Sequence, residues 1–392
     1  MTIRESEPVT AEARPYQRCT RTIMDTTDPD IWFDTNGVSS HALIFDEHLA
    51  DEVRAIQAGE RLDALQQLVA EMKRAGEGKP YDCVIGISGG VDSSYLALQA
   101  VRLGLRPLAV HFDSGWNSEI AADNIHNLVT RLGLDLYTQV VDWREMKDLQ
   151  LAFFKASLAN CDIPTDHAFG YVSYQQAQKY GIKYVLSGHN YVSESILPKA
   201  WGYDSGDAKH LKAVHKKFGT VKLKTYPVMG LAKRKLWYPE VRRIRSIPLL
   251  NYMPYVYKDA KREIAEELGW RDYGGKHYES VFTRYFQGYY LPRKFGYDKR
   301  LAHYSSLILS DQMTRDEALA MMESTNYPEE LRKQDHEFIA KKLGVTVDEL
   351  EAIYELPPVD YTAYPNSQAS MRRLFAVTAQ VGLILRKLRI LR

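Results

Sequence analysis

The stretch Ser88-Gly89-Gly90-Val91-Asp92-Ser93 stands between the apolar run Cys83 to Ile87 and the helix-patterned run Ser94 to Gly104. The first run predicts a buried strand and the second a helix. A strand that breaks into Ser-Gly-Gly and re-enters a helix points backbone N–H groups, two hydroxyls and a positive helix end at one spot. That is what a chain of phosphates needs, so the stretch predicts a nucleotide-phosphate loop. No Lys follows the glycines, which excludes the G-x-x-x-x-G-K-[ST] loop. The glycines are also not spread as G-x-G-x-x-G. An ordinary capped turn opening a helix is the plain alternative.

Ser-Gly-Gly-x-Asp-Ser resembles the PP-loop of the N-type ATP pyrophosphatases, in agreement at all six positions. The resemblance implies cleavage of ATP between its α and β phosphates and activation of an oxygen as an adenylate. Within the loop, Ser88 and Ser93 are expected to donate to phosphate oxygens beside the N–H groups of Gly89, Gly90 and Val91, stabilising the charge that develops on pyrophosphate. A carboxylate at Asp92 is unfavourable beside phosphates unless a divalent cation intervenes, so Asp92 is read as a magnesium ligand, directly or through water.

Strand and helix patterns then alternate, with strands expected at Cys83 to Ile87, Leu108 to Phe112, Leu136 to Val141 and Tyr184 to Ser187. Such succession predicts a doubly wound parallel α/β sheet covered on both faces, with ligands at the carboxyl ends of its strands. Ser88, Asp113 and Ser187-Gly188-His189-Asn190 fall at such ends. His111 and Asp113 are placed to hold adenosine. Gly188, His189 and Asn190, with Glu194 beyond them, are placed to meet ATP or the substrate.

The 392 residues allow two domains, or one with large additions. We divide them into a mobile 1–15, an N-terminal segment 16–78, a nucleotide domain 79–200 and a mostly helical, substrate-binding 201–392. No apolar run is long enough to span a membrane and no signal-peptide pattern opens the chain, so a soluble cytoplasmic protein is expected. Cys19, Cys83 and Cys161 show no disulfide or C-x-x-C spacing. With 51 basic against 50 acidic residues a general nucleic-acid binder is disfavoured. The lysine-rich Lys209 to Lys224 is a local exception, read either as a solvated loop or as a cover for an anionic substrate. Thr314 to Glu317 and Thr346 to Glu349 have the form of capping boxes. Val377 to Arg392 would make a basic amphipathic helix, expected to pack on this protein or a partner, with an anionic membrane surface as the rival.

Tyr273-Gly274-Gly275-Lys276-His277-Tyr278-Glu279-Ser280 is the most unusual segment. Its glycines permit close backbone approach. Lys276 and Arg284 can neutralise pyrophosphate or a phosphorylated substrate, and Glu279 can bind metal or orient an attacking amine. His277, Arg293 and Lys294, interleaved with aromatic residues, suit a sugar ring or a base. A folded aromatic core with exposed cations is the bland reading.

Together with Asp25-Thr26-Thr27-Asp28-Pro29, His111-Phe112-Asp113, Gly115-Trp116-Asn117, Ile163-Pro164-Thr165-Asp166-His167 and Leu291-Pro292-Arg293-Lys294-Phe295-Gly296, these motifs resemble the N-acetyl sugar amidotransferase family of bacterial surface-polysaccharide pathways. The likeness runs from about residue 16 to residue 365. It implies the PP-loop (adenine nucleotide alpha hydrolase-like) fold, lipopolysaccharide or O-antigen biosynthesis, and use of ATP and Mg2+. The implied reaction converts the acetamido group of a sugar or nucleotide sugar to an acetamidino group. It uses ammonia from a glutaminase partner, with an ammonia-channelling companion in view. Thr2 and the lack of a Gly-x-Cys-x-Gly elbow agree with a separate glutaminase.

One departure stands out. The family's N-terminal segment carries four cysteines resembling a zinc knuckle, whereas here only Cys19 remains, with Thr22, Ser39 and Ala42 at the other positions, so no zinc site is expected. Two rivals keep the loop: a tRNA-thiolating or amino-acid-ligating enzyme, and a non-catalytic nucleotide-binding subunit.

Overall fold

A computed structural model describes residues 14–324 and 327–372. The tail Val377–Arg392 and the first part of 1–15 lie outside them. The centre is a five-stranded parallel sheet in the order β3-β2-β1-β4-β5. The strands are β1 Cys83–Gly86, β2 Pro107–Asp113, β3 Leu136–Val140, β4 Tyr184–Ser187 and β5 Arg245–Pro248. In β1, Cys83 and Ile85 face one core and Val84 the other; in β4, Tyr184 and Leu186 oppose Val185 in the same way. Both faces are therefore covered, and the apolar runs in the sequence are continuous for that reason.

The alternation expected to stop near residue 200 adds one more strand. β5 pairs with β4 through Tyr184↔Arg245 to Ser187↔Pro248. It escapes notice in the sequence because it is short and on the sheet edge, with Arg245 and Ser246 exposed. The order places β2 on one side of β1 and β4 on the other, so the direction of winding reverses between β1 and β4. Ligands of such sheets bind in the crevice at that reversal, beyond the carboxyl ends of the strands.

The aromatic C-terminal helices pack on the core that also holds Phe153 and Phe154, through Phe282, Tyr285, Phe286 and Tyr290. Both capping boxes close as the sequence implies, at Thr314/Glu317 and Thr346/Glu349. The lysine-rich stretch forms the helix Ala208–Phe218 and a following strap. Asp148 accepts from the backbone N–H groups of Thr220 and Val221, and Glu145 from those of Lys224, Thr225 and Tyr226. Two buried carboxylates thus staple the strap to the helix Trp143–Lys155, which is a structural use of backbone donors.

In the N-terminal segment, Cys19, Thr22, Ser39 and Ala42 are all fully buried. The N–H groups of Thr22 and Ser39 both donate to Cys19 Sγ, at 3.3 and 3.2 Å. The knuckle positions still converge, held by hydrogen bonds to the remaining sulfur. No helix among the described residues is long and apolar enough to cross a membrane.

Candidate active site

Gly90 caps the helix Val91–Arg102 directly after β1, and Gly89 bends the chain at φ +82°. The two loop hydroxyls brace this turn: Ser88 Oγ and Ser93 Oγ lie 3.3 Å apart, and Ser88 Oγ accepts from Gly90 N at 3.2 Å. Trp270 Nε1 donates to Gly89 O at 2.9 Å, holding the outer side of the loop.

Glu279 comes over the loop from the Gly-Gly segment. Ser88 Oγ donates to Glu279 Oε1 at 3.5 Å, while Glu279 Oε2 is buried with no hydrogen-bond partner. A Cβ on Gly90 would stand 3.2 Å from Glu279 Oε1, so glycine is what lets the carboxylate come so near. Backbone bonds fix this approach: Ser118 N donates to Glu279 O and Val281 N to Trp116 O, tying the segment to the exit of β2. His277 has φ +65°, a strained conformation for a residue with a side chain, and its Nδ1 lies 3.8 Å from Glu279 Oε1.

Asp92 is also enclosed. Tyr255 OH and Asn190 Nδ2 donate to its Oδ1 at 2.5 and 3.1 Å, and Lys276 Nζ lies 3.6 Å from Oδ2. Lys276 Nζ lies closer, at 2.9 Å, to Glu194 Oε1, and His189 Nδ1 donates to Glu194 Oε2 at 2.9 Å. Burial pushes the Asp92 carboxyl above its usual range against the pull of Lys276. Burial acts on Glu194 in the same direction, yet nearby Lys276 and His189 hold it well below the usual range. Burial disfavours the Lys276 charge, but the two carboxylates outweigh it and its pKa is raised. Gly188 packs against this group, since a Cβ there would be 3.3 Å from the Asp92 carbonyl carbon.

The structure therefore gathers Ser88 to Ser93, Gly188, His189, Asn190, Glu194, Lys276, His277 and Glu279 around the β1/β4 reversal. A cavity of about 580 Å³ opens beside them, walled by Val91, Glu194, Lys276 and His277 on one side and Lys299 and His303 on the other. Other expected residues lie elsewhere. His111, expected at adenosine, is buried beneath the loop, where its Nδ1 donates to Ile87 O at 2.9 Å and its Nε2 accepts from Asn117 Nδ2 at 2.8 Å. It braces the residue before Ser88. Asp113 Oδ1 closes its own turn by accepting from Gly115 N at 2.8 Å. Arg284 makes a paired contact with Asp335, 2.8 Å at each oxygen. Arg293 reaches Glu351 and Glu355, while Lys294 donates to the terminal carbonyls of the helix Val347–Tyr354. These three cations hold the C-terminal helices together and line no part of the cavity.

Tyr255, His303 and Lys299 were not legible as site residues, because each stands in an ordinary helical or loop context in the sequence. His303 Nδ1 donates to Ser193 O at 3.1 Å, and burial together with Lys276 pushes its pKa down to about 3.

Residues 279–378 match the model of a family described as LPS biosynthesis protein WbpG-like, C-terminal domain. The match covers about a quarter of the chain, in its C-terminal part. This match fits the family resemblance of the sequence motifs, and the parallel sheet flanked by helices, with a loop after β1, is the doubly wound α/β arrangement expected from the sequence. No curated protein matches the chain. A solved structure to which it is similar is that of NMN synthetase from Francisella tularensis, with 17% identity, 53% of this chain and 87% of that chain covered, and a TM-score of 0.28.

Proposed function

We propose that this WbpG-like chain is an ATP-dependent amidotransferase that converts the acetamido group of an N-acetylated sugar to an acetamidino group, releasing AMP and pyrophosphate. The observation that carries the reading is the position of Lys276 between Asp92 and Glu194, beside the phosphate loop and on the wall of the cavity. ATP bound with its β and γ phosphates on the N–H groups of the loop exposes its α phosphate toward that cavity. The amide oxygen attacks there, and pyrophosphate leaves against the loop dipoles and the Lys276 charge. Ammonia then adds to the O-adenylated carbon and AMP departs.

The donor set suits a magnesium–nucleotide complex in part. Asp92 Oδ1 is already taken by Tyr255 and Asn190, which leaves Asp92 Oδ2 and the unpartnered Glu279 Oε2 as the oxygens able to face a cation. Magnesium held there would neutralise phosphate charge.

Ammonia would come from a separate glutaminase. All three cysteines of the chain are buried, and burial pushes the thiols of Cys83 and Cys161 far above their usual range, so neither serves as a glutaminase nucleophile. A sugar labelled with heavy oxygen in its acetamido group tests the reading: the label should pass into AMP while the sugar gains one nitrogen. Label in inorganic phosphate, with ADP as companion product, would reject adenylation.

A further inference from the structure

Tyr255 stands where the chain is neither helix nor strand, between the short helix Leu249–Tyr252 and the helix Tyr257–Leu268. Backbone groups in such a stretch have no ladder to join, and buried ones need other partners. Two glutamine side chains supply them. Gln57 ends the helix Ala50–Gln57; its Oε1 accepts from Tyr255 N at 3.3 Å and its Nε2 donates to Tyr255 O at 2.8 Å. Gln312 Nε2 donates to the same carbonyl at 2.6 Å, and its Oε1 accepts from Tyr257 N at 2.9 Å. A side chain of the N-terminal segment therefore clamps the backbone of a residue 198 positions away.

The Tyr255 ring is fully buried and lies tilted against Tyr95, with 5.5 Å between centroids, in the helix that follows the loop. Clamped at its backbone and packed along its ring, Tyr255 delivers its hydroxyl to Asp92 Oδ1 at 2.5 Å. Asn190 Nδ2 donates to the same oxygen at 3.1 Å, and the Asn190 amide is itself fixed by Ser193 N, which donates to its Oδ1 at 2.8 Å. Both donors take Oδ1 of Asp92, so Oδ2 is the oxygen turned to Lys276. The last torsion of an aspartate is broad, so these donors, rather than rotamer preference, fix where its oxygens point. Tyr255 itself lines no part of the 580 Å³ cavity.

We propose that Tyr255 is a positioning residue for Asp92, and that the N-terminal segment serves the candidate active site by holding Tyr255 through Gln57. This rests on the reading above, in which Asp92 serves turnover. The same segment also reaches the far wall of the cavity. Ile23 N donates to Ser305 Oγ at 3.2 Å, in the helix Lys299–Leu309 that carries Lys299 and His303, and Arg315 Nε donates to Thr22 O at 3.0 Å. The segment 16–78 is thus bonded to both sides of the site. A shift of about 1 Å at a reacting centre is worth about a hundredfold in rate, which is the scale on which such bracing acts.

The test uses the full chain. Turnover is followed as pyrophosphate release from ATP with N-acetylated sugars and ammonium, ATP binding by calorimetry, and stability by denaturant titration. Tyr255→Phe keeps the ring and removes only the hydroxyl; it should lower kcat about tenfold or more, with ATP affinity kept within about twofold. In an Asp92→Asn background the same change should lower kcat by no more than about twofold, because the charge that it orients is already gone. Gln57→Met, at a half-buried position, should lower kcat about threefold or more alone and by less than about twofold when added to Tyr255→Phe. Losses that multiply in these pairs, or a Tyr255→Phe protein of normal kcat, overturn the proposal. A stability cycle needs no substrate: Tyr255→Phe and Asp92→Ala together should lose less stability than the sum of the two single variants. Additive stability losses strike the Tyr255–Asp92 contact, whereas wild type that releases no pyrophosphate with any sugar strikes the amidotransferase reading.

Discussion

Lys276 Nζ stands 2.9 Å from Glu194 Oε1 and 3.6 Å from Asp92 Oδ2, so a single ammonium joins carboxylates that follow the ends of β4 and β1. All three side chains are mostly enclosed, at 16, 23 and 18% exposure for Lys276, Glu194 and Asp92. Lys276→Met removes the cation and leaves two buried carboxylates facing each other. We expect a stability loss of about 3–5 kcal/mol, the scale for breaking a buried pair on one side. Pyrophosphate release should fall by about a hundredfold or more in the folded fraction. Denaturant titration and a pyrophosphate assay check both, and an unshifted unfolding midpoint would refute the assigned coupling.

Asp92→Asn should separate binding from turnover. The backbone donors of Gly89, Gly90 and Val91 survive the change, whereas the charge facing Lys276 is lost. Calorimetry should find ATP affinity within about tenfold of wild type, while turnover falls by about a hundredfold or more. Near-normal turnover would remove Asp92 from the site.

Stability against acid should depend on Glu194. Its folded carboxyl titrates below the unfolded value of about 4.3, because Lys276 and His189 overcome the effect of burial. The sign follows: the unfolded chain binds the proton more readily, so the stabilisation is fully present above the unfolded value and is lost as pH falls toward the folded one. Glu194→Gln should lower stability at neutral pH and flatten the decline between about pH 5 and pH 2. Parallel wild-type and variant curves through that window would contradict the pairing.

Much of this was legible in the sequence, and the reason is burial. β1, β2 and β4 are sandwiched between two cores, so their residues are apolar at successive positions; β5, at the edge with Arg245 and Ser246 in water, carries no such mark. The loop Ser88 to Ser93 was legible because a tight strand-to-helix turn demands glycine and small hydroxyl side chains at fixed spacing. Partner choice was not. Arg284, Arg293 and Lys294 have the chemistry of phosphate ligands, and only the fold shows that Asp335, Glu351 and helix-end carbonyls take them.

Arg284 supplies a contrast with Lys276. Its paired contact with Asp335 is 13 and 7% exposed and joins the helices Val281–Tyr285 and Glu329–Leu343, and Tyr327 OH also donates to Asp335 at 2.8 Å. Arg284→Ala should therefore cost about 3–5 kcal/mol of stability. Turnover per folded molecule, measured well below the unfolding temperature, should stay within about threefold. A folded Arg284→Ala protein with turnover abolished would return Arg284 to the chemistry.

The backbone of the phosphate loop can be tested with two glycines that share a conformation and differ in their surroundings. Gly89 has φ +82°, and a Cβ there would stand 2.9 Å from Ala121 O in the helix Glu119–Leu132. Gly133, at the end of that same helix, has φ +62° with nothing within 4 Å of the same hypothetical atom. Both Ala variants bear the strain of a left-handed conformation, about 1 kcal/mol. At Gly89 a backbone oxygen also blocks the new atom, so the loop must move away from the helix and its N–H groups lose their common aim. Gly89→Ala should then weaken ATP binding about tenfold or more, while Gly133→Ala melts earlier with ATP affinity unchanged. Equal ATP affinities in the two variants would mean that the Ser88 to Ser93 backbone does not form the nucleotide site.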